Sequence, residues 1–149
     1  MNSNDGVKAY ETALLKALEK CQHIELVLQE CILLAMSIPS VKLSHLPFKD
    51  KQESVRKSPL GKLIKIYSSI NTDENLQEAL EKIKKDRNYV AHQSYDFTLG
   101  DLQDVAQLTK NTFMMKEIAT RATDVHNRLL DSRYKLLRLL RQEKRLENI

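Results

Sequence analysis

Apolar residues recur at spacings of three and four along the first quarter of the chain. Between residue 7 and about residue 36 they form a seam that consists of Val7, Tyr10, Leu14, Ala17, Cys21, Ile24, Leu28, Cys31 and Ala35. This spacing predicts a helix that packs one face against another helix. A second apolar stripe predicts that the helix lies centrally in a bundle; it consists of Leu15, Leu18, Leu26 and Leu33.

A second long helix is predicted from near Asp101 to about Arg145. Its seam has the same alternating spacing and consists of Met115, Ile118, Ala122, Val125, Leu129, Ser132, Leu136 and Leu139. Ser132 is the one polar member. The length and the spacing are typical of a helix in a bundle.

Two shorter helices are predicted between the long ones. Ser58 as N-cap and Pro59 at the first helical position begin one of them. Asn71 and Glu74 form a capping pair for the next, which continues to His92 and is followed by a break at 93–100. Residues 39–57 are predicted to be a connector.

The breaker residues are scarce, because Gly and Pro number only three each. No segment alternates with period two, so we expect no sheet. The sequence therefore predicts an all-α bundle of four to five helices with long first and last helices. The length favours a single domain over 1–149, with its core at about 7–140.

Positive charge is concentrated near the end of the chain. Residues 121–145 hold three acidic residues and eight basic ones, namely Arg121, Arg128, Arg133, Lys135, Arg138, Arg141, Lys144 and Arg145. Such a stripe attracts a polyanion such as RNA. The alternative is a solvated helix face without a ligand.

Several classes of protein are disfavoured by what the sequence contains. Cys21 and Cys31 lie about 15 Å apart along one helix, beyond the reach of a disulfide, and indicate core residues in a reducing cytoplasm. The apolar run at 26–38 is too short to span a bilayer, and no signal peptide is visible. The four His have no paired ligand spacing, so we expect no metal site, and without a Gly-rich loop we expect no cofactor.

The segment 84–95, Lys-Lys-Asp-Arg-Asn-Tyr-Val-Ala-His-Gln-Ser-Tyr, carries the candidate chemistry. Asn88, His92 and Tyr95 fall at i, i+4 and i+7 on one stripe of a helix. Arg87 precedes His92 by five residues, so the two point about 140° apart on a regular helix. One helix therefore does not aim both at one phosphate, whereas two copies related by a two-fold axis would share a cleft.

Such a cleft suits RNA cleavage without a metal. A guanidinium binds a phosphate and stabilises charge that grows on it, and an imidazole transfers protons to and from the ribose and the leaving oxygen. The attack uses the ribose 2′-hydroxyl, which DNA lacks. The alternative is that Arg87 and His92 are ordinary polar surface groups.

The segment Arg87-Asn88-x-x-x-His92 resembles the R-x4-6-H motif of the HEPN superfamily, in which a polar residue, often Asn, follows the Arg. Upstream, residues 58–64, Ser-Pro-Leu-Gly-Lys-Leu-Ile, resemble the opening of the second helix in several HEPN groups. The resemblance covers about residues 7–140. It implies a bundle of four to five helices that dimerises with the motif at the interface.

Many HEPN domains are metal-independent endoribonucleases of toxin–antitoxin and phage-defence systems. The resemblance implies catalytic positions for Arg87 and His92 and a supporting one for Asn88. Some family toxins carry, two residues after the His, a Tyr that a nucleotidyltransferase antitoxin modifies. Here that position is Ser94 and the Tyr is displaced to Tyr95, so this chain departs from the pattern that modification by an antitoxin partner requires.

Three functions follow from these observations. The first is a cytoplasmic homodimeric endoribonuclease, with RNA contacts expected from Tyr95, Arg121, Arg128, Arg133, Arg138 and Arg141. The second is a non-catalytic HEPN module that binds a nucleotide or a partner protein. The third is a helical oligomerisation module whose seams are its whole function.

Overall fold

A computed structural model of the chain describes residues 3–38, 51–98 and 105–147. These ranges contain five α-helices and no strand: α1 (Ser3–Met36), α2 (Lys51–Arg56), α3 (Leu60–Ser68), α4 (Glu74–Thr98) and α5 (Val105–Glu147). The prediction of an all-helical bundle with long first and last helices is confirmed. The predicted start of the last helix at Asp101 and most of the connector at 39–57 lie outside the described residues.

The two long helices run side by side in the same direction. The ring of His23 lies 5.8 Å from that of His126, and the carboxylate of Glu30 pairs with Arg133 farther along both helices. Because the residue numbers rise together, α1 and α5 are parallel. This contact is the most extensive between any two of the helices.

Helix α4 crosses the same two helices in the opposite direction. The Tyr10 hydroxyl donates a hydrogen bond to the Gln93 side chain at 3.4 Å, and Arg87 lies 3.5 Å from Glu25. Residue numbers on α4 therefore fall as those on α1 rise. This arrangement carries the candidate motif along the length of α1.

The apolar core consists of two clusters stacked along the bundle. One, which we call the α3 cluster, joins α3 and the first half of α4 to the second half of α1 and the middle of α5, and it includes Leu28, Leu63, Leu80 and Leu129. The other, the N-terminal cluster, includes Tyr10, Leu14, Val90 and Met115. Burial of these side chains is the main stabilising contribution to the bundle.

The main seam of α1 is buried as predicted, from Tyr10 to Ala35. The second stripe is not fully buried, although α1 contacts each of the other four described helices, as its expected central position predicts. Leu15 and Leu26 are 57% and 55% exposed, while Leu18 and Leu33 are half-buried. Periodicity identifies an apolar face, but it does not show whether any other helix of the same chain covers it.

The polar residue in the seam of α5 has a specific partner. The hydroxyl groups of Ser132 and Tyr67 lie 2.6 Å apart, and Asn71 donates a hydrogen bond to the Tyr67 oxygen at 2.7 Å. Tyr67 is almost fully buried. A serine at this place therefore gives the buried Tyr67 hydroxyl a second hydrogen-bond partner, beside Asn71, that an aliphatic residue would not provide.

The helix starts differ from the predicted ones by one or two residues. Pro59, rather than Ser58, is the N-cap of α3, and the Ser58 hydroxyl instead bonds the Ser54 carbonyl. At α4 the Asp73 carboxylate accepts a hydrogen bond from the Leu76 amide at 3.2 Å, which is the N-cap interaction predicted for Asn71. Asn71 instead accepts a bond from the Asp73 amide.

Two further predictions are corrected along the chain. The connector contains a short helix, α2, and its residue Val55 is buried in the α3 cluster. The predicted break at 93–100 is not present over 93–98, because α4 continues to Thr98. Helix α4 is therefore regular through the whole Arg87–His92 segment.

The burial pattern predicts how two leucines of α5 differ in their contribution to stability. Leu129 is fully buried and Leu146 is 70% exposed. Leu129→Ala should lower the free energy of unfolding by about 2 to 5 kcal/mol, because it leaves a cavity in the α3 cluster. Leu146→Ala should lower it by less than about 0.5 kcal/mol. Urea denaturation followed by circular dichroism measures both, and equal effects would contradict the register of α5.

Candidate functional site

The candidate motif lies on the second half of α4. Arg87 is half-buried, whereas Asn88 and His92 are exposed. On a regular helix, five residues correspond to a rise of about 7.5 Å and a turn of about 140°. The Arg87 and His92 side chains therefore leave α4 in different directions, as the spacing predicts. The side chain of Tyr95 lies outside the described part of the chain.

Arg87 points toward α1, where it meets an acidic residue. Its Nε lies 3.5 Å from the Oε1 of Glu25, and the two side chains are 43% and 27% exposed. Among the described residues, none accepts a hydrogen bond from the terminal nitrogens of Arg87. Since guanidinium offers five N–H donors in a fixed plane, this contact fixes one edge of Arg87 and leaves donors for an anion.

The preceding residue makes the corresponding contact on the other side of α4. Both oxygens of Asp86 accept hydrogen bonds from Arg121 of α5, at 3.0 Å from Nε and 3.1 Å from Nη2. The Asp86 side chain is only 13% exposed. The hydrogen bond to Asp86 raises the pKa of the Arg121 guanidinium. This bidentate pair ties α4 to α5.

These four residues, Glu25, Asp86, Arg87 and Arg121, form what we call the charged layer. On α4 the layer separates Ile83, in the α3 cluster, from Val90, in the N-terminal cluster. The layer contains two positive and two negative side chains and is neutral. Charges so close to a core require such pairing, because desolvation without it is costly.

The basic residues predicted to contact RNA lie in different environments. Arg121 belongs to the charged layer, Arg133 pairs with an acidic residue of α1, and the Nη2 of Arg128 is 4.0 Å from Asp73. The Arg138 guanidinium lies 5.9 Å from the centre of the Tyr134 ring. Arg138 and Arg141 are both exposed. The first part of the basic helix is thus internally paired, whereas Arg138 and Arg141 form no ion pair with any described residue.

The two cysteines give no alternative catalytic nucleophile. Burial raises the pKa of Cys21 to about 11 and that of Cys31 to about 12, so both thiols are protonated at neutral pH. Both are free and buried, as predicted. His23 packs near His126, whose pKa is lowered by burial and by that neighbour. Within the described residues, no group of three or more His, Cys, Asp or Glu is placed to hold a metal ion.

A groove of about 900 Å³ lies between α1 and α5, away from the motif. Its walls carry small side chains, such as Ala13 and Ala119, together with three lysines, Lys8, Lys16 and Lys116. None of Arg87, Asn88 and His92 lines it. The groove therefore adds nothing to the chemistry of the motif.

Sequence reasoning missed Glu25 and Asp86. Asp86 directly precedes Arg87, so the two side chains are predicted to lie on different faces of α4. No signal in the sequence indicates that Arg121 is the partner of Asp86. Glu25 lies 62 residues before Arg87 in a different helix. Only the packing of α4 on α1 brings the two together.

Comparison with models of protein families, with curated proteins and with solved structures found no significant match to this chain. Of the helices in the described ranges, none is both apolar enough and long enough to traverse a membrane. The function of this chain is therefore inferred from the chemistry and placement of its own residues.

The two ion pairs of the charged layer should differ in their contribution to stability. Arg121→Ala leaves the mostly buried Asp86 unpaired and should lower the free energy of unfolding by about 2 kcal/mol. Arg87→Ala removes a more exposed contact and should lower it by less than about 1 kcal/mol. Urea denaturation at neutral pH compares the two variants.

Double-mutant cycles separate the pair energies from the truncation effects. We expect a coupling of about 1 kcal/mol or more for Asp86 with Arg121, and below about 0.5 kcal/mol for Glu25 with Arg87. A larger coupling in the second pair would mean that Arg87 acts mainly as a structural residue. The outcome also decides whether Arg87 variants are suitable for activity measurements.

Proposed function

We propose that this chain is a HEPN-type, metal-independent endoribonuclease that acts as a homodimer in a toxin or phage-defence system. The observation that supports it most is the Arg87-Asn88-x-x-x-His92 segment on one regular stretch of α4 in an all-helical bundle. Arg87 is anchored at one edge only and is partly exposed. Asn88 and His92 are also exposed, so a strand of RNA has access to them.

The proposed reaction transfers a phosphoryl group within the RNA. The ribose 2′-oxygen attacks phosphorus while the bond from phosphorus to the 5′-oxygen breaks, which leaves a 2′,3′-cyclic phosphate and a 5′-hydroxyl. His92 of one copy accepts the 2′-hydroxyl proton, and a water molecule gives a proton to the 5′-oxygen. Arg87 stabilises the charge on the phosphate, and Asn88 donates a hydrogen bond to it.

Two copies are part of the proposal because Arg87 and His92 diverge on α4. Helix α1 offers a surface for the second copy. Leu15 and Leu26 are more than half exposed and, eleven residues apart, lie on one face of α1. Exposed leucines on one helix face favour an interface that a two-fold axis makes self-complementary.

A non-catalytic HEPN module that binds a nucleotide or a partner protein is the second candidate. The Glu25–Arg87 contact favours it, because Glu25 already balances the charge of Arg87. An arginine balanced in this way serves the fold without taking part in a reaction. The two candidates differ in whether removal of His92 changes a reaction or only a binding constant.

Purified protein incubated with total RNA in EDTA should produce fragments with cyclic-phosphate ends. His92→Ala should reduce the rate by about 100-fold or more, since it removes the proton transfer. Arg87→Ala should reduce it by about 100- to 1000-fold through the loss of charge stabilisation. Electrophoresis and end-group analysis of the fragments measure both.

Matched substitutions away from Arg87 and His92 serve as controls. His23→Ala removes an imidazole near α5, and Lys85→Ala removes a cation one turn from Asn88; both should retain the wild-type rate. If the folded wild-type protein cleaves no RNA, the ribonuclease is rejected and the binding module is favoured.

A composite site also predicts complementation between inactive variants. Arg87→Ala and His92→Ala proteins, unfolded together and refolded as a mixture, should regain part of the activity, because a mixed dimer holds one intact Arg87 and one intact His92. Light scattering should give about twice the 17.2 kDa chain mass at micromolar concentration. A monomeric mass, or no recovery in mixtures that do form dimers, would contradict the shared cleft.

A further inference from the structure

The net charge of the chain is located almost entirely near the end of α5. Residues 134–145 contain five of the 24 Lys and Arg and one of the 20 Asp and Glu, so 19 of each sign remain in the rest of the chain. The net charge of +4 therefore belongs to these twelve residues. Opposite charges elsewhere, as in the charged layer, largely compensate one another.

Four of these residues lie in one row, which we call the arginine row: Tyr134, Arg138, Arg141 and Arg145. Their spacings of four, three and four place them within about 60° of each other around α5 and over about 16 Å of its length. All four are exposed. Within the described residues, no acidic side chain forms an ion pair with the three arginines.

The arginine row lies near the end of α5 that α1 does not reach. His23 faces His126 and Glu30 pairs with Arg133, so a residue of α1 lies beside the residue about 103 positions later. Met36, the last residue of α1, then lies beside position 139. The last two turns of α5, which carry Arg141 and Arg145, extend beyond α1.

We propose that the arginine row is a binding site for single-stranded RNA. The three guanidinium groups bind successive phosphates, and Tyr134 stacks on a base. The inference rests on the proposed function in one respect, because it takes the bound polyanion to be the RNA that the Arg87–His92 site cleaves. The row would hold that RNA by its backbone, outside the catalytic cleft.

The composition of the row favours RNA over other anionic partners. Lys135 and Lys144 lie outside it, so the row presents only guanidinium groups, which match phosphate geometry, together with an aromatic ring. The ring of Tyr134 is 60% exposed, and the Arg138 guanidinium already lies over its face. A membrane surface would instead require a continuous exposed apolar face beside the row, but of the five leucines between positions 136 and 146 only Leu139 and Leu146 are exposed.

The test measures binding without cleavage. Full-length His92→Ala protein is titrated into fluorescent oligouridine in EDTA, over about 50 to 200 mM salt. Each phosphate contact in a single strand contributes about 0.7 to the slope of log affinity against log salt. Arg138→Gln, Arg141→Gln and Arg145→Gln combined should therefore reduce the slope by about 2 and weaken binding at least about tenfold.

Tyr134 provides a second and independent measurement. Tyr134→Ala should weaken binding about tenfold without changing the salt slope, and Tyr134→Phe should bind as the parent does, because stacking requires only the ring. Binding by charge attraction alone, to RNA or to an acidic protein, would give no difference in affinity between Tyr134→Ala and Tyr134→Phe. If neither tyrosine variant alters the affinity, the stacking role is rejected.

The groove lysines provide the matched control for charge. Lys8→Gln, Lys16→Gln and Lys116→Gln combined remove the same three charges from exposed positions far from the row. They should leave the salt slope within about 0.7 of its parent value. If this variant weakens binding as much as the arginine variant, or if vesicles of phosphatidylserine bind the row while oligouridine does not, the proposal is overturned.

Failure of the row and failure of the nuclease are distinguishable. Oligouridine binding that depends on the row, with no cleavage by the wild-type chain, would retain the row and reject the ribonuclease. RNA cleavage by the wild-type chain, together with unchanged oligouridine binding by the arginine variant, would retain the ribonuclease and reject the row. Circular dichroism verifies that the arginine variant is folded; if it is not, Arg141→Gln alone should reduce the slope by about 0.7.

Discussion

The pairing of charges in the charged layer fixes how α4 sits on the two long helices. Asp86 bonds Arg121 on α5 while the next residue, Arg87, meets Glu25 on α1. A shift of α4 by one turn along either neighbour would separate both pairs and leave carboxylates and guanidiniums poorly solvated beside two apolar clusters. The apolar contacts alone would tolerate such a shift better, because leucine and isoleucine side chains are largely interchangeable in packing. The position of His92 on the surface therefore depends mainly on the bidentate pair of Asp86 with Arg121.

The overall fold was predictable because it depends on local spacing. The seams of α1 and α5, from Tyr10 to Ala35 and from Met115 to Leu129, are buried as their periodicity indicates. The divergence of Arg87 and His92 also follows from spacing alone. The exposed face of Leu15 and Leu26 did not follow, because burial depends on which other helices are present. Glu25 and Arg121 were unpredictable as partners of the motif for the same reason: they are far away in the sequence and close only after packing.

The arginines of the chain have three distinct environments. Arg121 is held by both oxygens of a mostly buried carboxylate, so it is committed to the fold. Arg87 has one longer contact and retains donors at the surface. Arg141 is exposed at the end of α5. Composition counts these residues equally as positive charge, but the structure makes only the last two kinds available to an external anion.

The parallel direction of α1 and α5 has an electrostatic consequence. Each helix has a macrodipole whose negative end is its carboxyl terminus, and parallel helices bring these ends to the same side of the molecule. No basic residue lies in the last turn of α1, whereas α5 ends with Lys144 and Arg145 and carries Arg133 and Arg138 before them. The cations of α5 therefore act as counter-charges for the carboxyl termini of both long helices. If the two helices were antiparallel, the amino terminus of α1 would lie at this end of the bundle and only α5 would need such counter-charges there.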